Sequence, residues 1–171
     1  MNIDCLQFYF RLVLIGSLLL AGGCRSEERT LPTIQIDTPF RVDGRLAFLS
    51  PEGDTITSIA IEIAETDEAR ARGMMGRRSL PRSSGMFFIM DTTDTTSFWM
   101  RNTPLPLDII FVGADSHIVN VTKRTTPYSD EILQPIGPKK YVVEVRAGFA
   151  DRIGIDDSTS ITWVRTPAPA R

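Results

Sequence analysis

The sequence predicts an α+β domain: a mostly antiparallel, strongly curved or barrel-like β-sheet with two short helices. Three observations predict it. Short apolar runs recur between turn-forming clusters from Arg45 to Val164. Two stretches carry helix signals instead, one after Thr66 and one after Arg146. No internal repeat or second composition breaks the chain between them, so one domain over residues 40–165 is the economical reading.

The elements follow in order. Arg45 to Ser50 and Thr55 to Ile63 flank Pro51-Glu52-Gly53-Asp54, a turn cluster, and read as a β-hairpin. In the second arm Ile59, Ile61 and Ile63 fall on one face, with Ala60 and Glu62 on the other. Thr66 is placed to cap a helix whose first turn holds Asp67 and Glu68, suited to the positive end of the helix dipole. That helix runs through Arg72 toward Met75, with Gly73 or Gly76 available to end it. Met86 to Met90 is a short apolar run suited to a buried strand. Leu107 to Val112 and Ile118 to Thr122 are joined by the tight loop Gly113-Ala114-Asp115-Ser116, and should pair antiparallel. Tyr141 to Val145 is a strand by its valines. A helix from Ala147 to Ile153 can stop at Gly154, before a last strand from Thr159 to Val164.

The first residues bear on location. Leu12 to Ala21 is an uninterrupted run without charge, preceded by Arg11. It is too short to span a bilayer, which needs about 20 apolar residues. It fits the apolar region of a signal peptide over residues 1–23. Leu20-Ala21-Gly22-Gly23-Cys24 resembles the lipobox of bacterial lipoproteins, in which the cysteine is acylated and the chain is cut before it. A buried N-terminal helix, or a secretory leader without lipidation, are the alternatives. Polar Arg25 to Arg29 favours a surface tether over residues 24–39. The Pro/Ala-rich tail, 166–171, is expected to be disordered. The chain is therefore expected to be extracytoplasmic and anchored to a bacterial membrane through Cys24.

Cys5 and Cys24 are the two cysteines. With the first lost in the leader and the second lipidated, the domain would have no disulfide, thiolate metal site or cysteine nucleophile. A net charge of −2 argues against nucleic acid as a partner, because that needs a strong positive field.

Ser97 to Asp108 is the densest unusual stretch. Trp99 offers a flat face to a sugar or apolar ring, and Arg101 a fork for a carboxylate or phosphate. Asn102 and Asp108 add an amide and a carboxylate. The plainer account has Trp99 and Met100 plugging one end of the barrel, Arg101 paired with Asp108, and Asn102 satisfying loop backbone. Arg70, Arg72, Arg77, Arg78 and Arg82 form a basic cluster that usually means a solvated helix face. Arg77 is the exception, since its loop leads into a buried strand. His117 sits at a hairpin turn with no second histidine or cysteine, so no metal or cofactor is expected. Asp91 with Asp94, or Asp156 with Asp157, are explained by polar turns rather than calcium. Nucleophile-elbow and phosphate-loop motifs are absent.

Gly73-Met74-Met75-Gly76-Arg77, Leu80, Gly85-Met86-Phe87-Phe88, Phe98-Trp99-Met100-Arg101-Asn102-Thr103 and Pro106-Leu107-Asp108 stand in the order and spacing of the domain-of-unknown-function 192 family. Glu144, Gly148 and Gly154-Ile155 continue the likeness, which covers Ile61 to Trp163. The resemblance implies a compact β-rich domain with two helices, often exported in bacteria, with no established activity. Some relatives carry a cysteine pair before the Tyr141 strand, where this chain has none. Asp156-Asp157-Ser158 stands where Gly-Asp usually follows.

Three functions fit these residues. The first is a membrane-tethered binding or accessory module taking an anionic or sugar-like ligand at Arg77, Trp99, Arg101, Asn102 and Asp108. The second is an envelope hydrolase with Asp108 as acid or base and Arg101 steadying an anion. The third is a structural lipoprotein, which requires an exposed apolar patch and no concave pocket.

Overall fold

The chain divides into two units, Met1–Gln35 and Ile36–Arg171. The computed structural model describes residues 38–167, all within the second. Cys24, the leader and most of the tether lie outside the described residues, as do positions 168–171.

Among the described residues, seven strands and two helices follow in the order β1 (Gly44–Leu49), β2 (Thr55–Ala64), α1 (Asp67–Arg72), β3 (Ser84–Asp94), β4 (Leu107–Val112), β5 (Ile118–Thr122), β6 (Lys139–Arg146), α2 (Phe149–Ile153) and β7 (Ser160–Arg165). They form one curved sheet in the order β5-β4-β6-β3-β2-β1-β7. Every pairing is antiparallel except β2 with β3. That exception follows from α1: a helical crossover returns the chain to the end of the sheet from which it left, as a parallel neighbour requires. The sheet curves without closing, and its edge strands meet at their starts. There His117 bridges Ser160, and the Ile118 and Ile161 amides donate to Thr159 and Ser116.

Local chemistry sets the element ends. The Thr66 hydroxyl accepts from the Ala69 amide and caps α1. Gly73, at φ 46°, ends it, and Gly154, at φ 72°, ends α2. Strand β3 runs on to Asp94, beyond the apolar run at 86–90, because its polar end pairs with β6 and Asp94 meets the buried Lys139 ammonium.

Period-two alternation sorts the side chains into two cores. Inside the curve lie Leu46, Phe48, Ile59, Ile61, Phe87, Ile110, Val143 and Val145, with Phe149 and Ala150 of α2 over one end. On the outer face lie Met86, Phe88, Ile109, Phe111 and Val142, joined by Met74, Leu80, Met100 and Leu133 from the loops. Segments 95–106 and 123–138 cover that outer face and are stitched together. Phe98 and Leu133 exchange two backbone hydrogen bonds, and Met100 and Tyr128 donate to Ser129 and Thr103. The tail is tied further along than expected, since the Thr166 amide donates to the Asp43 carbonyl at 2.9 Å.

Candidate functional site

A groove enclosing about 260 Å³ opens on the outer face, above β3 and β6. Helix α1 and its following turn, to Met75, form one wall. Thr96 to Trp99, with Thr103, form the other; Phe88, Met90 and Glu144 form the floor. The walls are joined by one main-chain hydrogen bond of 2.8 Å, from the Gly76 amide to the Asn102 carbonyl.

Glu144 is the unusual group here. It occupies β6 opposite Met86 on one side and Ile109 on the other, so alternation aims it at the outer face. It is only 5% exposed, and its Oε2 is buried without a hydrogen-bond partner. Burial pushes its carboxyl up to about 8, so the acid holds its proton at neutral pH.

The structure separates the residues singled out above. Trp99 lines the groove and is 44% exposed. The Arg101 guanidinium lies 4.4 Å from its ring centroid and donates to Asp130 at 2.7 Å. Arg101 therefore pairs with Asp130 and not with Asp108. Asn102 is exposed, holds a left-handed backbone at φ 56°, and contributes its carbonyl to the clasp with Gly76. Met100 packs in the outer core, so neither it nor Trp99 plugs the barrel.

Arg77 is buried, as its position before a buried strand implies. It pairs with Glu62 at 3.0 Å, and its second terminal nitrogen has no hydrogen-bond partner. Glu62 sits opposite Met86 on the side away from Glu144, so the two acids share a face with β3 between them.

Asp108 belongs elsewhere. It faces Val145 across β4 and β6 and therefore points inward, away from the groove. Its side chain is fully buried. Its two oxygens accept the Arg124 amide at 2.8 Å and the Ala150 amide at 2.9 Å. The second bond satisfies an amide in the first turn of α2, whose cap, Gly148, has no side chain to do so. Asp108 is a fold residue, and the hydrolase reading loses its proposed acid.

Of the basic cluster, Arg70 is held by Asp67 and Asp91, and Arg72 by Glu68. Arg82 meets Arg146 and Arg152 around a separate depression. Among the described residues no three His, Cys, Asp or Glu side chains gather as metal ligands. Glu144 belongs to no catalytic motif, and its one signal in the sequence is that of a lone carboxylate among the valines of a central strand.

The family model for DUF192, described as Uncharacterized ACR, matches residues 48–163. The chain belongs to the DUF192 family. Two solved structures share the fold. One, from Novosphingobium aromaticivorans and of unknown function, is 33% identical with a TM-score of 0.68, over 75% of this chain and 91% of that one. The other, from Sinorhizobium meliloti, is described as a proposed transcription regulator. It is 28% identical with a TM-score of 0.68, over 74% of this chain and 98% of that one. No curated protein matches. The blocks that carry the DUF192 likeness converge in space: Gly73 to Met75 lie in one wall, Phe98, Trp99 and Thr103 in the other, and Phe88 and Glu144 in the floor.

Proposed function

We propose that this DUF192 chain is a small-molecule binding module, tethered outside a bacterial membrane by a lipid on Cys24, and that the outer-face groove is its site. One observation carries the binding role: a buried carboxyl with an unpartnered oxygen forms part of the floor of an otherwise largely apolar groove. Leaving such a group unpaired costs roughly 1–3 kcal/mol, so the buried carboxyl calls for a partner. A ligand with an apolar body and one polar group completes it. Met74, Met75 and Phe98 supply the apolar surface, and Trp99 a flat face at the mouth, the feature that supports a sugar-like ligand.

Anionic ligands have better support at the second depression, of about 350 Å³. Its Arg82, Arg146 and Arg152 have no acidic partner among the described residues, and guanidinium forks grip phosphate or carboxylate oxygens.

A thermal-shift screen of cell-wall fragments, amphipathic small molecules and organic anions tests both sites. Ala71→Trp, on the exposed face of α1, should fill the groove without disturbing the core and abolish stabilisation by groove ligands. Anions whose effect survives Ala71→Trp but is lost in Arg146→Ala belong to the arginine site. If no compound stabilises the protein, or both variants respond like the parent, the binding role is wrong.

The tether rests on the lipobox-like Leu20 to Cys24 and on the polar segment behind it. Cys24→Ser is expected to move the protein from the detergent phase to the aqueous phase. Unchanged partitioning would rule out the anchor.

A further inference from the structure

We infer that the groove selects a cationic amine on an apolar body, a primary arylalkyl- or alkylammonium whose nitrogen hydrogen-bonds to Glu144. This deepens the groove reading and rests on it.

Charge accounting around the floor leads to that class. From α1, Arg70 is engaged by Asp67 and Asp91, and Arg72 by Glu68. From the loop before β3, Arg77 is engaged by Glu62 of β2. On β6 itself, Lys139 is engaged by Asp94 of β3. Each of these cations has its own acid. Glu144 has none: the residue lines the floor of the groove, and its Oε2 is buried without a hydrogen-bond partner. Once ionised, the carboxyl accepts hydrogen bonds only, and a charged donor compensates it where water cannot.

The walls agree. Thioethers at Met74, Met75 and Met90 and rings at Phe88, Phe98 and Trp99 are polarisable, and aromatic faces attract ammonium groups. An organic anion would meet either a like charge or an acid that must stay protonated. An alcohol would gain a hydrogen bond but no charge compensation.

The chemistry carries a proton signature. In the empty groove the Glu144 carboxyl is neutral at pH 7. A bound ammonium stabilises the carboxylate, so the carboxylic proton leaves to solvent while the ammonium keeps its own. With the carboxyl at about 8, complete ionisation on binding releases about 0.9 proton at pH 7 and about 0.5 at pH 8, where the amine is still protonated.

Calorimetric titration of the full chain with 2-phenylethylamine, 2-phenylethanol and phenylacetate, in buffers of different ionisation heat, tests this. The amine is expected to bind at least tenfold more tightly than the alcohol, phenylacetate not to bind the groove, and the amine to release about 0.9 proton at pH 7. Glu144→Gln should lose both the tenfold preference and the proton release, and Ala71→Trp should lose binding. Amine binding without proton release, or no tighter than the alcohol, overturns the amine assignment; if that binding is still blocked by Ala71→Trp, the groove itself stands. Binding that survives Ala71→Trp places the ligand elsewhere and overturns the assignment. No binding by any of the three overturns the assignment and the groove reading together.

Discussion

Two buried carboxyl groups within the same sheet have opposite circumstances. Asp108 has a backbone amide on each oxygen, whereas Glu144 has an oxygen with no partner. The first should matter for stability alone. Asp108→Asn keeps the shape but replaces one acceptor with an amide facing an N–H donor, and about 1–3 kcal/mol of unfolding free energy should be lost. Denaturant titration would check the loss, and ligand affinity should not change. The second makes stability depend on pH. The native state keeps the Glu144 proton up to about 8, while an unfolded glutamate releases it near 4.5. Unfolding therefore releases a proton between those values and becomes easier as pH rises. The contribution is neutral below about 4.5, grows through the window to about 3–5 kcal/mol against the fold, and levels off above 8. Unfolding free energies from pH 5 to pH 8.5 should show this decline in the parent, and a shallower one in Glu144→Gln. Parallel profiles would contradict it.

At the scale of elements, β3 is an inner strand, with β2 on one side and β6 on the other. A methyl group on Gly85 would sit 2.7 Å from the Glu144 carbonyl and 2.9 Å from a Val145 methyl. Gly85→Ala should cost about 1–3 kcal/mol, visible as a lowered Tm, because neither β6 contact can yield without disturbing the ladder. Most elements were legible in advance because alternation and turn chemistry act locally. The 51–54 turn, the Thr66 cap and the Gly73 and Gly154 stops all stand where residue types require them. The extension of β3 to Asp94 was not legible, since Asp91-Thr92-Thr93-Asp94 reads as a polar turn until Lys139 is opposite it. The site was legible only in part. Trp99 stood out by type, whereas the orphaned oxygen of Glu144 depends on two loops folding over the sheet from distant parts of the chain. Asp108 was grouped with Arg101 by closeness in sequence, but strand parity puts it on the opposite face from Glu144.

At the largest scale described, residues 38–167 build one curved sheet with apolar side chains on both sides. A single-faced sheet leaves its other side to solvent, but here the long segments 95–106 and 123–138 form a second layer over the outer face. They are held by backbone exchange between Phe98 and Leu133 and by edge-on contacts of the Phe98 ring with Phe88 and Phe111. Helix α1 and the segment 95–103 leave the groove between them. The site is thus a gap in the outer layer, backed by a packed sheet that does not need to move for a ligand to enter. Its floor comes from β3 and β6, next to each other near the middle of the sheet, and only its walls come from irregular backbone.

Among the described residues those walls share one main-chain hydrogen bond, from the Gly76 amide to the Asn102 carbonyl. An exposed turn amide ordinarily trades its hydrogen for deuterium within moments, but this one can do so only while the walls stand apart. Its exchange rate is therefore a clock for the groove. A ligand that slips into the standing gap would slow that clock, while one that must wedge the walls open would speed it.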